Sequence, residues 1–189
     1  MSKQSSEYLQ KLIRVLNNLD LKKIEQLKQK IQSMINTGET FFVCGNGGSA
    51  ATASHMACDL GKTILGKKPR DNKKRLRVIS LNDNIPLLTA WGNDEGYQYV
   101  FSEVLKNLAK KDDFLLVITG SGNSANILEA VKEAKTIGIE TFGLLGFDGG
   151  KAKNMLDNYL LVESDDYGLV EDAHAIINHL LTDYFKKLH

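Results

Sequence analysis

The chain has 189 residues, of which 42% are apolar and 25% are charged, the composition of a single globular domain. Its 24 Lys and Arg nearly balance 23 Asp and Glu, and a net charge of +1 argues against a dedicated nucleic-acid-binding protein. No apolar stretch approaches the roughly 20 residues of a membrane span, and the N-terminus lacks the apolar core of a signal peptide. We therefore expect a cytoplasmic protein without a membrane partner, in which Cys44 and Cys58 are buried free thiols.

The first 37 residues predict helical structure. Leucine and isoleucine recur every three or four positions in two stripes, over residues 9–16 and 24–35. Asp20 lies between the stripes as a candidate N-cap, so the segment is either two helices or one bent helix, and Gly38 ends it. A small core does not obviously cover both stripes, which favours an oligomer interface.

Five short apolar runs predict strands, and helical patterns separate most of them. The predicted strands cover residues 40–44, 76–81, 114–119, 140–145 and 158–162, and the main predicted helices cover residues 50–64, 124–137 and 169–188. This alternation predicts an α/β fold, a doubly wound, flavodoxin-like three-layer sandwich around a five-stranded parallel sheet. The prediction is one domain over 1–189, with an N-terminal helical extension (1–37) and the sandwich (38–189).

Two glycine- and serine-rich loops follow predicted strands at the edge of the sheet where ligands bind in such folds. They are GNGGS at 45–49 and TGSGNS at 119–124, and each opens a helix. Hydroxyls and unpaired backbone N–H groups at a helix start form an anion site. The second loop lacks the lysine of a nucleotide-triphosphate loop and misses the dinucleotide spacing. The alternative is a tight turn in which Ser124 is only the N-cap.

A cluster of imidazoles and carboxylates is a candidate metal site. His55 and Asp59 lie one helical turn apart on one face, and the last predicted helix carries Glu171, His174 and His179. Two helices that each supply one imidazole and one carboxylate would form a four-ligand site suited to zinc. The alternative is a solvated His–Asp pair, and spacing does not choose between His174 and His179.

Residues 62–77 carry eight cations. A nucleic-acid-binding patch has such a charge, but no aromatic residue is interleaved, and the segment connects a helix to a strand. We therefore predict a solvated loop.

Three segments carry a resemblance to a known family. CGNGGSAATASHMACDL (44–60), LNDNIPLLTAWGNDEGYQYVFS (81–102) and TGSGNSANILEAVKEAK (119–135) resemble the sugar isomerase (SIS) domain family. Within it the chain is most similar to the phosphoheptose isomerases, which interconvert sedoheptulose 7-phosphate and D-glycero-D-manno-heptose 7-phosphate for lipopolysaccharide or capsule synthesis. The resemblance implies the SIS fold and a cytoplasmic homotetramer with active sites between subunits and one zinc ion per subunit.

The resemblance also implies roles for individual residues. The implied zinc ligands are His55, Asp59, Glu171 and His179, and the implied catalytic residues are Asp59 and His179, with the assignment of base and acid open. The implied substrate contacts are Asn46, Gly47, Ser49, Asp94, Thr119, Ser121, Ser124 and Glu171.

The chain departs from the family pattern at the sugar end of the implied site. Asp59 stands where the family has glutamate, and Glu171 where it has glutamine, which makes the implied metal site more acidic by one charge. One alternative function is therefore isomerisation of another phosphosugar. A second is a non-enzymatic SIS protein that binds the replication initiator DnaA, although retention of the four polar metal-site positions favours the enzyme.

Overall fold

A computed structural model describes residues 3–66 and 74–188. Within them, the helices are α1 (Lys3–Asn17), α2 (Leu21–Thr37), α3 (Gly48–Gly61), α4 (Ile85–Asp94), α5 (Ser102–Leu108), α6 (Ala125–Ile137) and α7 (Tyr167–Leu188). The strands are β1 (Thr40–Gly45), β2 (Arg77–Ser80), β3 (Phe114–Thr119), β4 (Glu140–Gly146) and β5 (Asn158–Val162). No helix in these residues is long and apolar enough to cross a membrane.

The five strands form one sheet of order β2-β1-β3-β4-β5, and every pairing is parallel. The sequence-based prediction of a doubly wound α/β fold is confirmed. β1 and β3 are neighbours in register from Phe41 opposite Phe114 to Gly45 opposite Ile118. From this pair the strand order runs outward in opposite directions, so the topological switch point lies between the carboxyl ends of β1 and β3.

The central strands are buried on both faces because helices cover each side of the sheet. Phe41 and Val43 of β1 face a core layer shared with α2, α3 and α7. Phe42 and Cys44 face the opposite layer, shared with α5 and α6. Successive strand side chains point to opposite faces, so a strand covered on both sides is continuously apolar.

The N-terminal segment forms two helices. The Asp20 carboxylate accepts a hydrogen bond from the Lys22 backbone N–H at 2.9 Å, which caps α2. The expectation that an oligomer must cover both apolar stripes is wrong for α2, because α2 packs onto the sheet of its own chain. Its apolar residues are buried there: Ile24, Leu27, Ile31, Met34 and Ile35. On α1, by contrast, Leu9 and Ile13 remain 47% and 56% exposed.

The expectation of two buried thiols holds only for Cys44. Its side chain is fully buried between sheet and helices, and burial raises the pKa of its thiol. Cys58 is exposed and lines an open cavity between α3 and the edge strand β2, beside Ser54 and Ile79. Residues 67–73 of the predicted basic loop lie outside the described residues.

His174 of α7 is a core residue. It is 1% exposed, and its Nε2 lies 3.2 Å from the backbone carbonyl oxygen of Leu145, which requires a hydrogen on Nε2. The removal of the imidazole from water lowers its pKa to about 4 from an ordinary value of 6.5.

We predict that His174 makes the protein sensitive to acid. Between pH 6.5 and 4 the unfolded chain binds a proton at this position and the folded chain does not, so the free energy of unfolding falls as the pH falls. The contribution is on the order of 3 kcal/mol, lost progressively below pH 6.5. Urea denaturation of wild type and His174→Gln from pH 4 to 7.5 measures it. If the free energy of unfolding falls equally with pH in both proteins, His174 is not the source of the acid sensitivity.

A candidate active site beside two glycine-rich loops

A cavity of about 250 Å³ lies at the carboxyl ends of β1 and β3, at the switch point of the sheet. Its lining includes seven of the eight predicted substrate-contact residues: Asn46, Gly47, Ser49, Thr119, Ser121, Ser124 and Glu171. The eighth, Asp94, is not brought to the cavity, because it lies in the exposed last turn of α4.

The hydroxyl groups of both loops are free of a capping role. Gly47, with φ 55° and ψ −123°, is the N-cap of α3, so Ser49 lies inside the first turn. Ser124 is the N-cap of α6, but its side chain makes no capping hydrogen bond. The alternative in which Ser124 serves only as a cap therefore has no support in the geometry.

The second loop is held in shape by its own hydrogen bonds and by a neighbouring turn. The Thr119 hydroxyl accepts from the Gly122 N–H at 3.2 Å, and the Ser121 hydroxyl accepts from the Asn123 N–H at 3.3 Å. Gly122 has a φ of 64°, and a Cβ there would collide with the Gly149 carbonyl. The loop is therefore preorganised.

Two helix N-termini and one carboxylate face the cavity. The first backbone N–H groups of α3 and α6 have no acceptor within their helices, and both helices begin at the cavity. Of the described residues that line it, Glu171 is the charged one, and its carboxylate lies against Gly48. An anion bound here would be held by backbone N–H groups and hydroxyls.

Asn126 joins the two loops. Its side chain and that of Asn46 exchange two hydrogen bonds of 2.8 Å each, and the Tyr97 hydroxyl donates to Asn46 Oδ1 at 3.2 Å. The carbonyl oxygen of Asn46 is thereby occupied, which leaves one amide N–H of Asn46 available to a ligand. Neither Asn126 nor Tyr97 is among the site residues predicted from the sequence. The available signal for Asn126 was a polar residue on the buried side of α6, where it is 2% exposed.

Three predicted metal ligands meet between α3 and α7. His55 Nε2 lies 3.3 Å and His179 Nε2 lies 4.0 Å from Asp59 Oδ2. One donor atom from each of the three residues lies within 4.8 Å of the others. Two imidazoles and one carboxylate are a donor set suited to a divalent metal with an open coordination position, so the residues present fit a metal ion. We call His55, Asp59 and His179 the trio.

The structure separates the other two candidates from the trio. His174 points into the core, which leaves His179 as the imidazole that α7 supplies. Glu171 does not belong to the trio but lines the cavity, eight residues before His179 on the same helix. That spacing corresponds to roughly 12 Å along the helix axis.

Asp59 is anchored from α7 by residues that the sequence analysis did not identify. It is 7% exposed, and its Oδ2 accepts a hydrogen bond from Asn178 Nδ2 at 3.0 Å. The Thr182 hydroxyl lies 3.5 Å from the same oxygen. Asn178 looked like an ordinary helix position in the sequence, and only the contact of α7 with α3 gives it a partner.

The chain matches a known family and named relatives. The family model described as SIS domain matches residues 6–146. The chain is 40% identical over 167 residues to the phosphoheptose isomerase of Helicobacter pylori (strain P12), covering 86% of this chain and 84% of that protein. It is 37% identical over 178 residues to a probable phosphoheptose isomerase of Thermoplasma acidophilum, covering 94% of each chain. The fold, the cavity at the switch point and the match to the family model together identify this chain as an SIS domain protein.

Solved structures agree with this class. A phosphoheptose isomerase from Francisella tularensis superimposes with a TM-score of 0.89 at 31% identity, covering 99% of this chain and 100% of that chain. The enzyme from Neisseria gonorrhoeae gives 0.87 at 29% identity, covering 98% of each chain. The chain therefore belongs to the phosphoheptose isomerase family of SIS domain proteins.

We predict that inorganic phosphate binds the cavity and stabilises the fold. Phosphate should raise the melting temperature of the wild type, because a ligand that binds the folded state shifts unfolding. Ser121→Ala combined with Ser124→Ala removes two hydrogen bonds to a charged group and should weaken phosphate binding by about tenfold or more. Thermal-shift titration measures this effect.

Ser33→Ala, an exposed serine on α2, is the control and should keep the wild-type response to phosphate. Equal phosphate protection in the double variant and the wild type would show that the loops do not form the anion site.

Proposed function

We propose that the protein is an aldose–ketose isomerase that converts sedoheptulose 7-phosphate into D-glycero-D-manno-heptose 7-phosphate for the synthesis of cell-surface glycans. The observation that carries the proposal is that an anion cavity and a trio of acid–base groups lie along the same two helices. The names of the relatives that match most of the chain support the heptose substrate.

The cavity is the proposed phosphate end of the site. Ser121, Ser124 and Thr119 would contact the phosphate oxygens together with the N-terminal ends of α3 and α6. On the first loop, Ser49 would do the same, and the free N–H of Asn46 would donate to a substrate oxygen.

The trio is the proposed reacting end. His55 follows Gly48 by seven residues on α3, so the trio lies roughly 10–12 Å along the helices from the cavity. A separation of this size suits a substrate whose phosphate and carbonyl lie at opposite ends of a long carbon chain. It is supported by α3 and α7 running side by side in the same direction, with Gly48 against Glu171 and Asp59 against Asn178.

Isomerisation through an enediol needs one group that removes a proton beside the carbonyl and one that returns it. Asp59 and His179 are the proposed pair, because the exposed His179 imidazole lies 4.0 Å from the Asp59 carboxylate. The His55 ring packs beside that of His179, with ring centroids 5.0 Å apart, and its Nε2 lies 3.3 Å from the same oxygen of Asp59. A zinc ion held by His55, Asp59 and His179, when bound, would supply Lewis acidity toward the carbonyl oxygen. Glu171 stays a predicted fourth ligand that would have to turn from Gly48 toward the trio.

A cytoplasmic homotetramer with active sites between subunits is part of the proposal. Both imidazoles of the trio are open to solvent in one chain, with His55 51% and His179 60% exposed. Leu9 and Ile13 form an exposed apolar patch on α1. Asp94 lies outside the cavity of its own chain, so its predicted substrate contact would reach the site of a neighbouring subunit.

No observation on the described residues favours the non-enzymatic alternative. A protein that only binds a replication initiator has no need of two imidazoles gathered around a buried carboxylate. Isomerisation of a different phosphosugar uses the same chemistry, so a substrate panel distinguishes it.

We predict that the purified protein isomerises sedoheptulose 7-phosphate and carries about one zinc per chain. His55→Ala and His179→Ala should each release the metal, because loss of a ligand weakens a zinc site strongly. His179→Ala should also lower kcat by about 10²–10⁴-fold, the usual contribution of a general acid or base. Elemental analysis and a coupled assay with five-, six- and seven-carbon sugar phosphates measure both effects.

Two controls accompany these variants. Asp183→Asn changes an exposed carboxylate one turn beyond His179, and His174→Gln changes an imidazole in the core, so both should keep their zinc. Stoichiometric zinc in both His55→Ala and His179→Ala would contradict the trio. If the protein isomerises only a different sugar phosphate, the proposed reaction type stands and the proposed substrate is wrong.

We predict a tetramer in solution. Light scattering at micromolar concentration should give about four times the chain mass of 21.0 kDa. Leu9→Glu combined with Ile13→Glu should shift the protein to smaller species, because charged groups cannot be buried in an apolar interface. A 21.0 kDa species in the wild type would contradict the prediction.

A further inference from the structure

Asn178 is the polar residue of α7 that is most completely buried against the proposed reacting end. It is 0% exposed, whereas the next residue along the chain, His179, has a side chain that is 60% exposed. Neighbouring positions on a helix point about 100° apart. Asn178 and His179 therefore approach Asp59 from two different sides, the first from the core and the second from solvent.

The direction of the Asn178 amide is fixed by its partner. An ionised carboxylate only accepts hydrogen bonds, so the Nδ2 donor must face Asp59 Oδ2, at 3.0 Å, and the Oδ1 atom must point away. The reverse orientation would place two oxygens against each other.

The other end of the amide has no partner. Asn178 Oδ1 is buried and accepts no hydrogen bond from the described residues. A buried carbonyl oxygen without a donor destabilises the fold, and an apolar residue of the same shape would avoid that cost. The packing of α7 therefore does not explain an asparagine here, whereas its bond to Asp59 does.

Asp59 depends on this bond because its side chain is short. Its Oδ2 atom is the point shared by His55 at 3.3 Å, His179 at 4.0 Å and Asn178. Thr182 is a weaker partner, since its hydroxyl donates to the Asn178 backbone carbonyl at 2.9 Å and lies 3.5 Å from Asp59. The hydrogen bond from the Asn178 amide, at 3.0 Å, is therefore the shortest of these four contacts to Asp59 Oδ2.

We propose that Asn178 is a positioning residue that holds the Asp59 carboxylate toward His55 and His179 from the buried side. Asn178 does not line the phosphate cavity and acts only through Asp59. The inference rests on the proposed function, because the trio must hold zinc and transfer protons for the position of Asp59 to matter. Partners of this kind that orient a metal ligand typically change metal affinity or activity by about 10–100-fold when removed.

Asn178→Leu tests the proposal, because leucine keeps the approximate size and removes the donor. In the full-length protein, zinc affinity is measured by competition with a chromophoric chelator. The melting temperature of the zinc-free protein and the kcat and KM of the zinc-loaded protein complete the set. We expect zinc affinity and kcat to fall by about 10–100-fold while KM stays within about twofold. The zinc-free melting temperature should change little, since removal of the unpaired Asn178 oxygen offsets the lost donor to Asp59.

Thr182→Val is the matched control, because it removes a longer contact to the same oxygen from the same helix face. Its effect on zinc affinity and kcat should be smaller than that of Asn178→Leu. Wild-type zinc affinity and kcat in Asn178→Leu would overturn the positioning role, as would a drop in the zinc-free melting temperature with KM and kcat changed together.

Failure of the proposed function gives a different result. A wild-type protein that neither binds zinc nor isomerises any sugar phosphate would overturn that function and the role of Asn178 with it. If the wild-type protein is active without zinc, the kcat and KM of Asn178→Leu decide whether Asn178 positions Asp59. An unchanged kcat in that variant would then contradict the proposal.

Discussion

The parallel pairing of β1 with β3 determines where the chemistry of this protein lies. Because Gly45 is in register with Ile118, the two loops that follow these strands begin beside each other at the same edge of the sheet. One loop leads into α3 on one face, and the other leads into α6 on the opposite face. The two helix starts therefore converge on one cavity without needing a basic side chain to attract an anion. The reciprocal amide pair of Asn46 and Asn126 fixes the distance between the loops.

The second constraint is the contact between α3 and α7, which run in the same direction on one face of the sheet. Their N-terminal parts contribute Ser49 and Glu171 to the cavity, and their middle turns contribute His55 and His179 to the trio. Because rigid helices connect the two places, the separation between cavity and trio is set by helix geometry. In the proposed function, this arrangement links the phosphate end and the reacting end of the substrate in one site.

Much of this architecture could be predicted from the sequence because it depends on local patterns. Continuous apolar runs predicted the buried strands, and the capping pattern at Asp20 allowed the two-helix interpretation that the structure adopts. The i, i+4 spacing of His55 and Asp59 placed them on one helix face. The partners across helices could not be predicted from local spacing. Asn178 acquires its role through Asp59, which is 119 positions away in the sequence, and Asn126 through Asn46, which is 80 positions away. For the same reason, spacing alone could not choose between His174, which faces the core, and His179, which faces Asp59.

The most direct test of the account is a crystal structure of the protein with zinc and sedoheptulose 7-phosphate. We expect the phosphate within hydrogen-bonding distance of Ser121 and Ser124, between the N-termini of α3 and α6. We expect the first two carbons of the same molecule beside Asp59 and His179, with zinc on the trio. A phosphate bound elsewhere, or a carbonyl end that does not reach Asp59, would contradict the claim that the cavity and the trio form one active site.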